Sequence, residues 1–195
     1  MGVVEEFMRF PIDLNQTVLK GQTPLLLAVE SSWDCLKLLL SRADVDVNMP
    51  HAHNGKTPLF VACESGNVNA AWELLLRPEI DIWKASARGK TPLYAAVEKD
   101  NVQIVHLLLE KCILSDVFHE TNFGTTPYFL ADKRGSTKIL KAFQEFTSSK
   151  ISKEKVERDQ TGKAAKPRFL SDVKELNEIY PTTYNGGIKI KLRTT

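Results

Sequence analysis

Four histidines and three cysteines are the residues of this chain best suited to holding a metal or attacking a substrate. His51 and His53, in "HAH", could offer two imidazoles to one ion. Structural metal sites need about four ligands, and no Cys, Asp or third His adjoins the pair, so both read as solvated loop histidines. Cys35, Cys63 and Cys112 form no CxxC pair, and their number is odd. They read as reduced thiols, Cys63 as a packing residue on a helix, in a reducing compartment. No GxSxG, Walker loop, HExxH or paired-cysteine motif occurs. No catalytic residue, metal or cofactor is therefore expected.

Other residues suit binding rather than reaction. Glu30, Glu64 and Glu98 recur at equal phase, each closing a run of apolar and small residues. The segments "HAHNGK", "WKASARGK" and "FHETNFGT" gather Lys56, Trp83, Lys84, Arg88, Lys90, Phe118 and Phe123. Trp beside Arg is the composition of an interface hot spot. The cations are few and are mixed with Asp81 and Glu120, which argues against a nucleic-acid partner.

The elements that hold these residues follow from a repeat. "GQTPLLLAVE" at 21–30 returns as "GKTPLFVACE" at 55–64, "GKTPLYAAVE" at 89–98 and "GTTPYFLADK" at 124–133. Thr23, Thr57, Thr91 and Thr126 stand 34, 34 and 35 residues apart, in the range of stacked repeat architectures. A second apolar block follows each phrase: "CLKLLL", "AAWELLL", "IVHLLL" and "KILKAF".

The phrase reads as a helix start. A Thr hydroxyl can accept from a free N–H of the first turn, and Pro loses nothing at a position whose N–H has no partner. Leu59, Ala62 and Cys63 then fall on one helical face. Ala62 and Ala96 are small enough to let helices approach, and Gly66 with Asn67 breaks the helix before a second begins. Each unit is thus helix, turn, helix, loop. Helices this short are marginal alone in water and must bury their faces against neighbours, which stacking supplies.

The four "TPL/TPY" phrases, "GNV" at 66–68, "IVHLLL" at 104–109 and "DVN" at 46–48 resemble the ankyrin repeat family over roughly residues 3–146. The resemblance implies an all-α solenoid of antiparallel helix pairs with β-hairpin fingers. It implies a protein partner gripped by the finger tips and the groove of the first helices. Glu30, Glu64 and Glu98 would then line the groove as an acidic ladder, with rungs about 10 Å apart. That spacing is about one Debye length, so the ladder would be partly screened yet attractive to a basic partner. His51, His53, Lys56, Trp83, Lys84, Arg88, Lys90, Phe118 and Phe123 would lie on or near the tips. Leu26, Phe60, Tyr94 and Phe129 stand where the family has His, so apolar packing must replace that residue's hydrogen bonds. "LSRADVDVN" is similar to sites of asparaginyl hydroxylation, with Asn48 the acceptor.

The expected organisation is a half-repeat or cap at 1–20 and four repeats at about 21–54, 55–88, 89–123 and 124–146. A polar stretch at 147–166, a solvated linker or a frayed helix, follows, then a short amphipathic helix and a possible strand at 167–195. Charge divides likewise: residues 1–146 carry 15 Lys and Arg against 18 Asp and Glu, whereas 147–195 carry 11 against 6. No apolar run is long enough to span a bilayer and no leader is visible, so a monomeric protein of the cytoplasm or nucleus is expected. The function read is non-catalytic protein binding, as a scaffold or regulatory binder. The alternatives are a substrate-recruiting adapter of a ubiquitin ligase and the N-terminal part of a larger enzyme or channel.

Overall fold

A computed structural model describes residues 13–161 of the chain. The chain divides into two units, Met1–Phe143 and Gln144–Thr195. The expected half-repeat at 1–20 therefore lies largely outside the described residues, and the helix and strand read at 167–195 lie wholly outside them.

Four helix pairs run in chain order, each pair within one period. They are α1 (Pro24–Ser31) with α2 (Trp33–Leu40), α3 (Pro58–Ser65) with α4 (Val68–Leu75), α5 (Pro92–Glu98) with α6 (Val102–Leu109), and α7 (Pro127–Arg134) with α8 (Thr137–Thr161). The first helices start alike. Oγ1 of Thr23, Thr57 and Thr91 accepts the N–H of Leu26, Phe60 and Tyr94 at 3.2 Å, and Thr126 that of Phe129 at 3.0 Å. All four threonines are buried, so each cap satisfies a donor that water cannot reach. The second helices start on Ser32, Asn67 and Asn101, which accept from Cys35, Ala70 and Ile104. Gly66 ends α3 at φ 73°, a left-handed position where a Cβ is costly.

Stacking joins like to like. α1 packs on α3, α3 on α5 and α5 on α7, while α2 packs on α4 and α4 on α6. Neighbours on both sides explain why Pro58–Cys63 and Pro92–Val97 are buried at every residue, although an isolated surface helix buries one stripe. Ala62, Ala96 and Ala131 are fully buried where the first helices meet. In the second helices the pairs Ala70 and Ala71, Leu74 and Leu75, Ile104 and Val105, and Leu108 and Leu109 face inward. Burying a Leu or Ile side chain contributes about 1.5–3 kcal/mol, and these recurring pairs make each interface the main source of stability.

Two further bonding systems tie units together. Asn67 Nδ2 donates to Val29 O (3.1 Å) and Asn101 Nδ2 to Gly66 O (3.4 Å), so residues that cap one unit also reach the unit before. In the loops, Asn15 donates to Asp44 O (2.8 Å) and accepts from Asp46 N (2.7 Å). Asn48 repeats this with Glu79 O (2.7 Å) and Asp81 N (2.8 Å).

One expectation changes in detail. Among the described residues there is no β-strand, so the fingers are tight turns rather than β-hairpins. Each tip has one bond across its neck and one inside the turn, too few to build a ladder: Ser86 N to Lys90 O and Gly89 N to Ser86 O, Thr121 N to Thr125 O and Gly124 N to Thr121 O. The polar stretch from residue 147 takes the helical of its two readings as far as Thr161. α8 continues to Thr161, because no Gly or Pro interrupts 137–161. In the second unit Thr147 Oγ1 donates to Gln144 O and Lys150 Nζ lies 5.3 Å from the Phe146 ring centroid. No helix of the described residues is long and apolar enough to cross a membrane.

Candidate functional site

The first-helix groove is built from a three-residue device. Lys56 stands just before the Thr57 cap, Phe60 one turn into α3 and Glu64 one turn further. The tip folds back over the helix, so Lys56 Nζ reaches Glu64 Oε2 at 2.5 Å and lies 5.5 Å from the Phe60 ring centroid. Lys90, Tyr94 and Glu98 repeat the arrangement. The ammonium donates to both Glu98 oxygens at 2.9 Å and lies 5.2 Å from the Tyr94 ring centroid. These pairs are partly exposed, with about a fifth to a third of each side chain open, and each ion pair is worth well under 1 kcal/mol after screening.

This corrects the acidic ladder. Glu64 and Glu98 are neutralised by lysines of their own repeats. Glu30 takes only the Gln22 amide, at 3.3 Å, because Gln22 stands where the next units have Lys. The fourth unit places Thr125 at the lysine position and exposed Lys133 at the glutamate position. The row therefore runs from one negative charge through two neutral pairs to one positive charge. Arg134 donates its guanidinium N–H to the backbone carbonyl of Glu98.

The replaced family histidine also has a mixed outcome. Leu26 and Phe60 are buried and apolar, but the Tyr94 hydroxyl lies 3.2 Å from Thr125 Oγ1, which is 2.7 Å from Thr121 Oγ1. One junction thus keeps a hydrogen-bonded link at that position.

The tips form a second surface. Ala52 N donates to Gly21 O (2.9 Å), Ala87 N to Asn54 O (2.9 Å) and Asn122 N to Arg88 O (3.2 Å), so successive tips are joined through main-chain atoms. Gly89 permits this contact: a Cβ there would stand 2.3 Å from Asn122 Oδ1 and 2.7 Å from Asn122 N. On this joined edge Arg88 is exposed, and Phe123 is the most exposed large apolar side chain of those described, at 74%. His51 and His53 share the second tip. His51 Nδ1 accepts the His53 N–H at 3.2 Å and the rings meet edge to face at 5.7 Å. Among the described residues no three His, Cys, Asp or Glu side chains converge as a metal site.

Three residues placed near the tips sit instead at loop bases. Asp81 Oδ1 accepts the N–H of both Trp83 and Lys84, a turn below the third tip. Trp83 remains 41% exposed. Phe118 packs on Tyr128, centroids 5.6 Å apart, and Tyr128 on Phe143 at 6.2 Å, so Phe118 is a packing residue. Asn48 is half-buried, and both ends of its amide are engaged with the next unit. Cys63 is fully buried, and desolvation, aided by nearby Cys112, pushes its thiol well above the ordinary range.

Trp33, Trp72 and Leu76 escaped the sequence reading. They are 39%, 47% and 57% exposed on α2, on α4 and at the α4 C-cap. The signal was available: Trp72 takes the register filled by Lys37, His106 and Lys141 in the other units. A large aromatic at an otherwise polar, outward position is a surface feature.

The ankyrin-repeat family model, in three copies, matches residues 2–86 and 73–155, together well over half of the 195. No curated protein matched the chain. The repeated caps, the stacked helix pairs and this match agree, and the chain belongs to the ankyrin-repeat family.

Proposed function

We propose that this chain is a non-catalytic binder that holds one protein partner along its joined tips and first-helix groove. Ankyrin repeats are generally protein–protein interaction modules. The observation that carries the finer reading is the tip edge: main-chain bonds fix three successive junctions while Arg88 and Phe123 stay open to solvent. A surface ordered before binding loses less conformational entropy on contact. The groove below supports an extended partner segment that runs from a basic end, near Glu30, to an acidic end, near Lys133. Cys35, Cys63 and Cys112 form no disulfide among the described residues, which supports a reducing compartment such as cytoplasm or nucleus. The adapter and larger-enzyme readings rest on residues 162–195, outside those described. Hydroxylation of Asn48 is a further proposal. It would require the loop bridge to open first, and a one-oxygen mass increase on its peptide is the readout.

The test compares proteins captured by the full chain with those captured by an R88E/F123A variant of unchanged helical content. A partner lost with the variant supports the tip surface. Identical capture by both removes the tips from the interface.

A further inference from the structure

The turn that joins α7 to α8 reads "DKRGSTK" at 132–138. Lys133 and Arg134 stand three and two residues ahead of Ser136. Two cations at that distance before a hydroxyl are the charge pattern by which one class of protein kinase selects its substrates, through carboxylates of its own. Short patterns recur by chance, and here the fold chooses among them. Thr23, Ser86 and Thr91 also follow a Lys or Arg by two or three residues. All three are buried, and Thr23 and Thr91 use their hydroxyls in helix caps. Ser136 is only half-buried, and the residues around it, 132–135 and 137–138, are exposed.

The Ser136 hydroxyl is also unengaged. At this register the earlier units cap their second helices, with Ser32, Asn67 and Asn101 accepting from Cys35, Ala70 and Ile104. Ser136, at the start of α8, makes no such cap among the described residues. The turn lacks a cover as well. In the second unit, Gly66 O accepts from Asn101 of the third, and a Cβ on Gly66 would stand 3.3 Å from that amide nitrogen. A Cβ on Gly135 would meet nothing within 4 Å among the described residues. A kinase binds its substrate extended, so the last turn of α7 must open. That releases the Gly135 N–H from Asp132 O, the Ser136 N–H from Ala131 O and Arg134 from Glu98 O. Such bonds at an exposed helix end belong to the least stable part of a fold.

We propose that Ser136 is a phosphorylation site for a protein kinase that selects basic residues ahead of its acceptor. Ser136 Oγ attacks the γ-phosphorus of ATP, the bond from that phosphorus to the bridging oxygen breaks and ADP leaves. The hydroxyl proton passes to the catalytic carboxylate of the kinase. Phosphoserine brings about −1.5 to −2 charges to the first turn of α8. Lys133, Arg134 and Lys138 outnumber Asp132 in this segment, and the free N–H groups of a helix start favour an anion. The phosphate also opposes Lys133, the positive end of the first-helix groove; that effect on binding rests on the groove reading above.

The test incubates the full chain with ATP and the catalytic subunit of cyclic-AMP-dependent protein kinase, and places phosphate by peptide fragmentation. One phosphate on Ser136 is expected. Ser136→Ala and K133E/R134E, each with unchanged circular dichroism, should take up at least about tenfold less phosphate at 132–138, whereas Thr137→Ala keeps it. Hydrogen exchange at the first-turn amides of α8 should slow in the phosphorylated chain. Phosphate found only at Thr137 or within 147–195, with Ser136 unmodified after prolonged incubation, overturns the assignment. So does labelling of Ser136 that K133E/R134E leaves unchanged. Phosphate on Ser136 with partner capture unaltered upholds the acceptor and removes Lys133 from the groove contact.

Discussion

The loop junctions of the stack are built in two ways. At the first two, an asparagine side chain crosses from one unit to the next: Asn15 holds Asp46 N and Asn48 holds Asp81 N. At the third, Trp83 occupies the asparagine position and can accept nothing. The amide that would have been held, Asp116 N, turns to Ile113 O (3.2 Å), and the loop winds into a 3-10 turn at Leu114–Phe118. Asp116 Oδ2 closes that turn by accepting Ile113 N at 2.6 Å. The same backbone demand is met by a neighbour in one case and locally in the other. In a linear array, stability divides into terms within units and terms between them. The first two junctions carry loop bonding in the coupling between units, whereas the third moves it into the unit itself. The loop of the third unit thus lacks the bridge to its predecessor that the loops of the first two units have.

Breaking a bridge gives the largest expected effect. Asn48→Ala removes two hydrogen bonds and leaves a carbonyl and an amide without their partner, costing about 2 kcal/mol. Urea unfolding should show a lower midpoint, and hydrogen exchange should quicken at Asp81. An unchanged midpoint would mean water replaces the amide at no cost. Rebuilding a bridge sharpens the comparison. Trp83→Asn should recreate the crossing at the third junction, stabilise the chain by about 1 kcal/mol and raise protection at the Asp116 amide. If protection there does not change, the 3-10 turn forms for reasons unrelated to residue 83.

The smallest effect concerns pH. Burial raises Asp116 to about 6, against the lowering pull of the Ile113 N–H, Cys112, His119 and Ser115. A carboxyl with a raised folded-state pKa favours the fold while protonated. Its contribution is full below the ordinary value of 3.8 and is lost as pH rises to about 6. The site is about half open, so the discounted effect is about 1 kcal/mol or less. Asp116→Asn should remove this pH dependence, so that the difference in melting temperature between variant and parent grows in the variant's favour as pH rises across that window. Parallel curves from pH 4 to 7 would show that Asp116 titrates normally.

What was legible was local. The Thr-Pro starts, the Gly66 stop and the Asn67 cap each act within four residues, and such interactions repeat wherever the phrase repeats. The Lys56–Glu64 and Lys90–Glu98 pairs were half legible. Their eight-residue spacing recurs, but it becomes a contact only because the tip turns back over its helix. The Asn48 bridge could not be read from one unit, because its partners lie 31 and 33 residues ahead. Trp83 and Phe118 look equivalent as aromatics after "DI" and "DV". Exposure separates them, and that depends on whether a ring such as Tyr128 waits opposite. Trp33 and Trp72 were passed over because a helix packed on two sides has no single apolar stripe to stand out from.

The tips are joined by backbone amides and carbonyls, with glycine at the tight approach and only the Asn122 side chain adding a bond, to Ala87 O. Side chains at 53, 87, 88 and 123 take no part in that joint. Substitution there can change the chemistry the edge presents without changing how the edge is held. The molecule thus separates the lettering of this edge from its grammar of folding, and selection could rewrite the first while leaving the second alone.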